Sequence, residues 1–588
     1  MLPAQRRSAV TASMAAPIGG WNARDSLAEM NPLDAVELVN WFPTPSDLTL
    51  RKGYTKSSTG ITGNVETVLN YQAPTGATRF AAAGTKIYNA SVNPATEAVT
   101  GLSNARWQYV NMSTAGGDFI VACNGADPVH IYNGSYWYSV ATSTTGQTIS
   151  TQTRGGTGNL TATVVTSTAH GLVTGNQITM TGATPSEFNG TFRVTVTNST
   201  TFTYTMASAP ASDASPVGTY TVTAITGVNS NTFANVNLFK NRLYFVQEDT
   251  MKFWYLDAGS VTGAAAEFDL GGFTKEGGYL QAMGTWTIDA GEGVDDYAVF
   301  VTSMGEIPVY SGTDPTDPTA WTLKGIWNIG PTFTRRCFFK WSGDLLLLTQ
   351  DGLVPMASTL QSSRLDPRVN LTDKIFWAVS QATSAYSANF GWQIHYLAKA
   401  NMLILNIPTD DGKKQYVMHT ITKAWAEFTN INAYCWEVSN EDIYFGSTGY
   451  VGKFWDTYSD AGTNIKGTVQ QAYSYFESRG QLKRFTMIRP IFLTSGGVPT
   501  IAANVNIDFE TQDVVGSVTF NPATVAAGKW DVGIWDSSLW GGGLVVNKIW
   551  QGVNGIGYSA GVYMKVASED IEVHWASTDY VMERGGVI

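Results

Sequence analysis

The sequence predicts an all-β protein organised around a β-propeller. Composition points there first. Only 14% of the 588 residues are charged, 12% are aromatic, and glycine occurs 59 times. The usual charged share is about a quarter. Few charges with many aromatic and β-branched residues suit pleated, half-buried strands better than solvated helices. The second observation is a recurring hairpin unit, and the third is the rarity of helix signals. The length exceeds what one hydrophobic core serves, so roughly two to four structural units are expected.

The hairpin unit recurs between Val65 and Asp460: an apolar strand, a polar turn, then a strand closing on an aromatic residue. It reads Phe80–Tyr88, Asp118–Tyr132, Asn241–Tyr255, Asp296–Tyr310, Asp344–Met356 and Asp442–Trp455. Turns bearing Gly or Asp between apolar runs are hairpin signals. Their recurrence at roughly forty to sixty residues suggests propeller blades, each burying its faces against its neighbours.

One segment breaks the rhythm. From Ser150 to Thr223 the chain is mostly Thr, Ser, Gly, Val and Ala, opening with Arg154-Gly155-Gly156-Thr157-Gly158. Alternation predicts strands at Leu160–Val165, Gln177–Thr181, Thr191–Thr197, Thr200–Met206 and Val217–Thr223. This is a compact insertion of about seventy residues lodged between two blades. After Asp460 charges return at Glu477, Arg479, Lys483 and Arg484, and Trp530, Trp535, Trp540, Trp550 and Trp575 crowd the tail. That tail reads as a separate β-sandwich-like domain. The expected organisation is therefore a lead-in segment at 1–64, propeller at 65–149 and 224–460, the insertion at 150–223, and a C-terminal Trp-rich β domain at 461–588. Two short helices are expected, at Asp34–Val39 and Leu371–Ala382.

Net charge is −11, from 36 basic and 47 acidic residues. Proteins that grip nucleic acid cluster Lys and Arg to release counterions from phosphates. Here the densest basic points are Arg6-Arg7, Lys413-Lys414 and Lys483-Arg484, so tight DNA binding is not expected. Cys123, Cys337 and Cys435 are far apart in apolar surroundings and read as buried free thiols. No ligand spacing for zinc occurs. Met1 to Ala16 lacks the apolar stretch of a secretory signal, and no run is long enough for a membrane helix.

Catalytic patterns are missing from the sequence: no nucleophile elbow, P-loop or dinucleotide fingerprint stands in a usable context. His130, His170, His395, His419 and His574 have no Ser, Cys or ligand partner at meaningful spacing and read as structural. The pairs Asp295-Asp296, Asp410-Asp411 and Glu441-Asp442 sit at turn-like positions, whereas glycoside hydrolysis needs carboxylates facing each other across a sugar. Ser311-Gly312-Thr313-Asp314 before Trp321 resembles the Asp-box of sialidase propellers, but Pro315 and Thr316 depart from that pattern. The expectation is no enzyme activity, with no catalytic, cofactor-binding or metal-binding residues and no cofactor.

The most specific motif lies near the start. Pro17–Asp25 (Pro-Ile-Gly-Gly-Trp-Asn-Ala-Arg-Asp) precedes Val39-Asn40-Trp41-Phe42-Pro43 and then Leu48-Thr49-Leu50-Arg51-Lys52-Gly53-Tyr54. This order resembles the lead-in of tail nozzle (hub) proteins of short-tailed bacteriophages, the packaged-DNA stabilisation proteins. Ala169–Ile178 through Phe188–Phe192 resembles a small β-barrel found inserted in many phage structural proteins, of the ubiquitin-activating-enzyme-domain-like type. The resemblance implies a virion protein of the phage tail. It would form a homo-oligomeric, sixfold (hexameric) ring beneath portal and adaptor, continuing the DNA ejection channel and supporting fibres, tailspikes or a plug. DNA would pass without specific binding. The alternative is a carbohydrate-binding or glycan-cleaving β-propeller tail protein, suggested by the aromatics Tyr136, Trp137 and Tyr138.

Overall fold

The computed structural model describes residues 9–74, 76–289, 294–341, 343–357, 369–495, 499–514 and 544–587. The chain is all-β apart from a few short helical turns and the α-helix Phe376–Tyr386 among the described residues. It divides into two compact units. One comprises Met1–Thr59, Gln350–Pro355 and Arg364–Ile588; the other comprises Gly60–Thr349 and Met356–Ser363.

The second unit carries the blades. The end of the strand Gly53–Ala73 pairs in an antiparallel meander with Gly76–Ala83, Lys86–Asn89 and Thr96–Thr100. The next sheet runs Gln108–Thr114, Gly117–Cys123, His130–Tyr132, Trp137–Ser139. A third runs Phe233–Phe239, Arg242–Gln247, Lys252–Tyr255, Ala266–Asp269. A fourth runs Leu280–Asp289, Val294–Thr302, Glu306–Gly312, Trp321–Asn328. Phe338–Trp341 and Asp344–Thr349 start another. From the second sheet on, first strands touch first strands of the next sheet, so they form the inner edge. Four-stranded meanders packed face to face are β-propeller blades.

The pattern within one strand shows why this sequence builds blades. In Gly117–Cys123, Ile120 and Ala122 enter one core with Leu69, Phe80, Trp107 and Trp137. Val121 and Cys123 enter the next, with Phe233, Leu243 and Phe245. Side chains alternate across a strand. A strand buried on both faces therefore reads as one apolar run, Phe119-Ile120-Val121-Ala122-Cys123. Between the third and fourth sheets, Tyr310 stacks on Trp321 at 5.2 Å and Tyr244 stacks on it at 6.0 Å. Each large apolar side chain so buried contributes about 1.5–3 kcal/mol.

All six expected hairpins fall in these sheets or their continuation; the last lies on Asp442–Thr457, which with Cys435–Ser439 extends the sheet of Gly53–Ala73, Gly76–Ala83, Lys86–Asn89 and Thr96–Thr100. That strand doubles back on itself. Lys453 reaches Asp442 at 2.8 Å, and Gly449 takes a φ of 85° at the turn.

The inserted segment folds as two small sheets. One orders Ile149–Gly155, Thr161–Thr166, Thr201–Thr205, Thr195–Asn198; the other orders Gly190–Arg193, Gln177–Thr181, Thr219–Val222. Thr161–Thr166 alternates half-exposed and buried positions, sending Ala162 and Val164 inward. They meet Ile178, Phe188, Phe202 and Tyr204 in a separate core. Tyr204 donates to the Phe188 carbonyl at 2.8 Å and accepts from Gln152 at 2.7 Å.

The first unit is built from two large sheets. The nine-stranded sheet draws Gln393–Leu397, Met402–Ile407, Lys414–His419 and Trp425–Phe428 into line with Asp34–Val39, Ile465–Gln471, Ala560–Ser568 and Thr500–Ile507, and Gly20–Trp21 joins at Asp34–Val39. The seven-stranded sheet joins Trp41–Pro43, Leu48–Leu50, Val573–Val587, Gln481–Thr494 and Val545–Lys548, with Ala9–Ala15 and Gln551–Gly557 alongside. Trp41, Phe42, Phe485, Phe492, Met564 and Trp575 fill the core they share.

Three expectations change. Asp34–Val39 is a strand, not a helix, because Ile465–Gln471 and Trp425–Phe428 pair with it on either side, and such pairing outweighs local propensity. The boundaries at 64 and 460 do not mark separate units: Leu48–Leu50 pairs with Val573–Val587, and the strands between Gln393 and Phe428 share a sheet with Ile465–Gln471, Thr500–Ile507 and Ala560–Ser568. The helix expected at Leu371–Ala382 starts later, after the short turn Asp373–Ile375. Of the Trp-rich tail, Trp530, Trp535 and Trp540 lie outside the described residues.

Candidate functional site

The N-terminal motif residues converge on one buried network in the first unit. Asn40 adopts a φ of 59° between two strands that belong to different sheets. That turn lets its amide donate to the Lys466 carbonyl at 2.8 Å and to Thr429 at 3.0 Å. Its carbonyl oxygen accepts from Arg51 Nε at 2.8 Å. The Arg51 guanidinium then grips both carboxylate oxygens of Asp460, at 2.8 and 2.6 Å, and donates to the Thr429 carbonyl at 2.9 Å. The Arg51 side chain is 0% exposed and that of Asp460 6%. Such a two-pronged pair fits guanidinium geometry, and the added carbonyls satisfy the remaining donors.

The neighbouring motif residues complete the staple. Trp41 sets its ring edge-on to Trp575 at 6.4 Å, and Phe42 packs on Trp455 at 5.5 Å and Phe428 at 6.3 Å. Gly53 passes so close to Ser459 that a Cβ would lie 1.9 Å from its carbonyl oxygen. Tyr54 follows, its ring edge-on to Phe445 at 5.0 Å.

In the blade unit, the inner strands meet another arginine. Arg336 donates to Thr67 Oγ1 at 2.8 Å and to the Trp107 carbonyl at 3.0 Å, tying the segment before Phe338–Trp341 to the first two sheets. Arg335 pairs with Glu248, and Arg106 with Glu66 at 3.2 Å.

The residues weighed for chemistry are scattered and engaged. The three cysteines are free and buried, and burial pushes the Cys337 thiol up to about 12. His130 is buried with Nδ1 2.7 Å from the Pro128 carbonyl, and burial pulls its pKa down. His170 meets the Asn198 carbonyl at 3.0 Å, His395 bonds Gln393 at 2.6 Å, and His419 packs on Phe42. His574 lies between Asp47 at 3.0 Å and Glu572 at 3.2 Å. Asp296 pairs with Lys240, Asp410 accepts from Asn389 at 2.8 Å, and Asp442 holds Lys399 and Lys453. Asp314 closes the turn after Glu306–Gly312 by accepting from Thr316, while Trp321 is buried. Among the described residues no group of three or more His, Cys, Asp or Glu is placed to hold a metal.

Two of the three aromatics that suggested carbohydrate binding are core residues. Trp137 packs edge-on to Phe80 at 5.2 Å, and Tyr138 is 4% exposed in the next inter-blade core. Tyr136 alone stays half-open. The basic points are compensated as well: Lys414 pairs with Glu427 at 3.0 Å, Lys413 donates to the Thr409 carbonyl at 2.8 Å, and Lys483 is buried against the Ser478, Gln481 and Tyr558 carbonyls. Arg6-Arg7 lies outside the described residues. No described helix is long and apolar enough to cross a membrane.

No protein-family model and no curated protein sequence matches the chain. Among solved structures it is similar to the β-propeller domain of Cps50 (Swd1) from Myceliophteria thermophila, at 10% identity and a TM-score of 0.35, covering 69% of this chain and 100% of that one. It is similar to YCF48 from Cyanidioschyzon merolae at 9% identity and a TM-score of 0.24, covering 70% and 97%. Dihydro-heme d1 dehydrogenase NirN matches at 11% identity and a TM-score of 0.30, covering 61% and 66%. At such TM-scores the propeller assignment rests on the chain's own sheets.

Proposed function

We propose that this chain is a structural subunit of a short-tailed phage tail, a nozzle or hub protein that forms a ring around the DNA ejection channel. The supporting observation is the convergence of its motif. Asn40, Trp41, Phe42, Arg51, Gly53 and Tyr54, which carry the resemblance, form one buried network with Asp460 and Trp575. A motif spent on a core staple supports an architectural role. The low-charge, aromatic-rich composition suits subunit interfaces, whose cores are depleted in charge and enriched in Trp and Tyr. The net charge of −11 and the compensated lysines favour a wall along which DNA slides, because rows of free Lys and Arg would hold phosphates by counterion release. In this reading the adaptor above and fibres or tailspikes below are the protein partners.

Peptide mass spectrometry of purified virions tests the reading. The chain should be present in a small fixed ratio to the portal protein and be lost with the tail when tails are sheared off. Its absence from virions would overturn the proposal.

A further inference from the structure

The inserted barrel and the blade that carries it frame an open pocket of about 500 Å³, lined by Tyr136, Phe192, Thr174, Thr191, Thr195 and Thr205 around Arg193. Arg193 ends the strand Gly190–Arg193, opposite Gln177 in register. Its guanidinium lies beside Gly175, where a Cβ would stand 3.6 Å from Nη2. Arg51, Arg335, Arg479 and Arg489 each meet a carboxylate. Arg193 meets none among the described residues, although it is half-buried and burial works against its charge. A half-buried cation with no carboxylate partner among the described residues favours an anionic ligand.

The rest of the wall narrows the chemistry. Phe192 stacks on Tyr204 at 4.3 Å and 19°, which fixes its ring at the pocket wall. Tyr136 accepts at its hydroxyl from Gln177 at 3.2 Å, so its own proton remains available to a ligand. The hydroxyls of Thr195 and Thr205 bond to nothing among the described residues. A free phosphate would use the single cation and leave two aromatic rings idle. A sugar acid uses everything present: carboxylate on the guanidinium, ring C–H face on an aromatic, hydroxyls on threonines. We propose that this pocket binds an acidic sugar unit of a glycan through Arg193, Tyr136 and the threonines. The site is independent of the tail reading and gives the inserted barrel a recognition role.

The test is calorimetric titration of the full chain with oligosaccharides of galacturonate, glucuronate and N-acetylneuraminate, against maltotriose and inorganic phosphate. At least one acidic glycan should bind while maltotriose and phosphate do not. Arg193→Gln should weaken that binding roughly tenfold or more, the scale of a lost charge-assisted bond, with an unchanged circular dichroism spectrum. Should Arg193→Gln misfold, Tyr136→Phe must weaken binding in its place. Failure of all three acidic glycans to bind overturns the proposal. So does undiminished affinity in the folded variants, or equal binding of phosphate or maltotriose.

Discussion

Arg51 and Asp460 form a two-pronged ion pair, 2.6 and 2.8 Å long, with both side chains almost fully removed from solvent. The pair joins the lead-in segment to the end of the turn-back after Asp442–Thr457, 409 residues away in sequence. Removing one partner leaves the other charge buried and unpaired. Arg51→Met should therefore destabilise the protein by about 3–5 kcal/mol. The double variant Arg51→Met/Asp460→Leu should cost clearly less than the two single changes added together. Urea unfolding of the three variants measures both quantities.

Gly53 is required by space rather than by backbone freedom. A Cβ would lie 1.9 Å from the Ser459 carbonyl oxygen, and backbone cannot step aside cheaply. Gly53→Ala should cost about 1–3 kcal/mol, whereas Gly76→Ala, which meets nothing within 4 Å but has a φ of 136°, should cost less. Thermal melts of both variants decide the comparison.

Arg336 ties the inner edges of the blades. Arg336→Ala should cost about 1.5–3 kcal/mol for its charge-assisted bonds. Arg336→Lys should recover little, since an ammonium cannot span Thr67 Oγ1 and the Trp107 carbonyl in the plane that a guanidinium fits. Limited proteolysis should then open the blade unit first.

His574 gives stability a pH dependence of known sign. Burial alone would lower its pKa, but the hydrogen bonds it donates to the Asp47 and Glu572 carboxylates outweigh this and raise it above the ordinary 6.5. A raised histidine pKa stabilises the fold fully below 6.5, and that contribution fades as pH climbs through the folded value. His130 and His419 are shifted down by burial and oppose it at acid pH. The difference in melting temperature between the native chain and His574→Gln should therefore be largest near pH 6 and shrink toward pH 9. A difference that grows with pH would contradict the assignment.

The inserted barrel has its own core, and its ends meet: the Ala141 amide donates to the Thr223 carbonyl and the Ile225 amide to the Ala141 carbonyl, both at 3.0 Å. Replacing Ser150–Thr223 by a short Gly/Ser bridge should leave a soluble, β-rich protein by circular dichroism. Loss of all soluble product would make the insert part of the blade core.

Local patterns were legible, and long-range ones were not. The strand Gln177–Thr181 was readable to the residue because Thr and apolar side chains alternate there. The blade hairpins were readable from apolar runs ending in aromatics. Asp34–Val39 was not, since Asp-Ala-Val-Glu-Leu-Val suits one helical turn and two of its three partner strands, Trp425–Phe428 and Ile465–Gln471, lie beyond residue 400. The same distance hid the sheet that Asp34–Val39 and the strands between Gln393 and Phe428 share with Ile465–Gln471, Thr500–Ile507 and Ala560–Ser568, and with it the unit boundary. Arg51 was quoted within a motif, yet nothing near it announced Asp460. Arg193 does carry a signal in the sequence: it is an isolated cation in a Thr-rich segment whose nearest acidic residues in sequence are Glu187 and Asp213.

A density map of the virion tail with the chain traced into it tests the proposed place in the DNA channel. The expected result is a ring of copies around the axis below the adaptor, presenting an acidic or neutral wall to the DNA. A chain found outside the axial channel, as a fibre or capsid decoration, would contradict it; rows of Lys and Arg facing the axis would contradict the sliding argument.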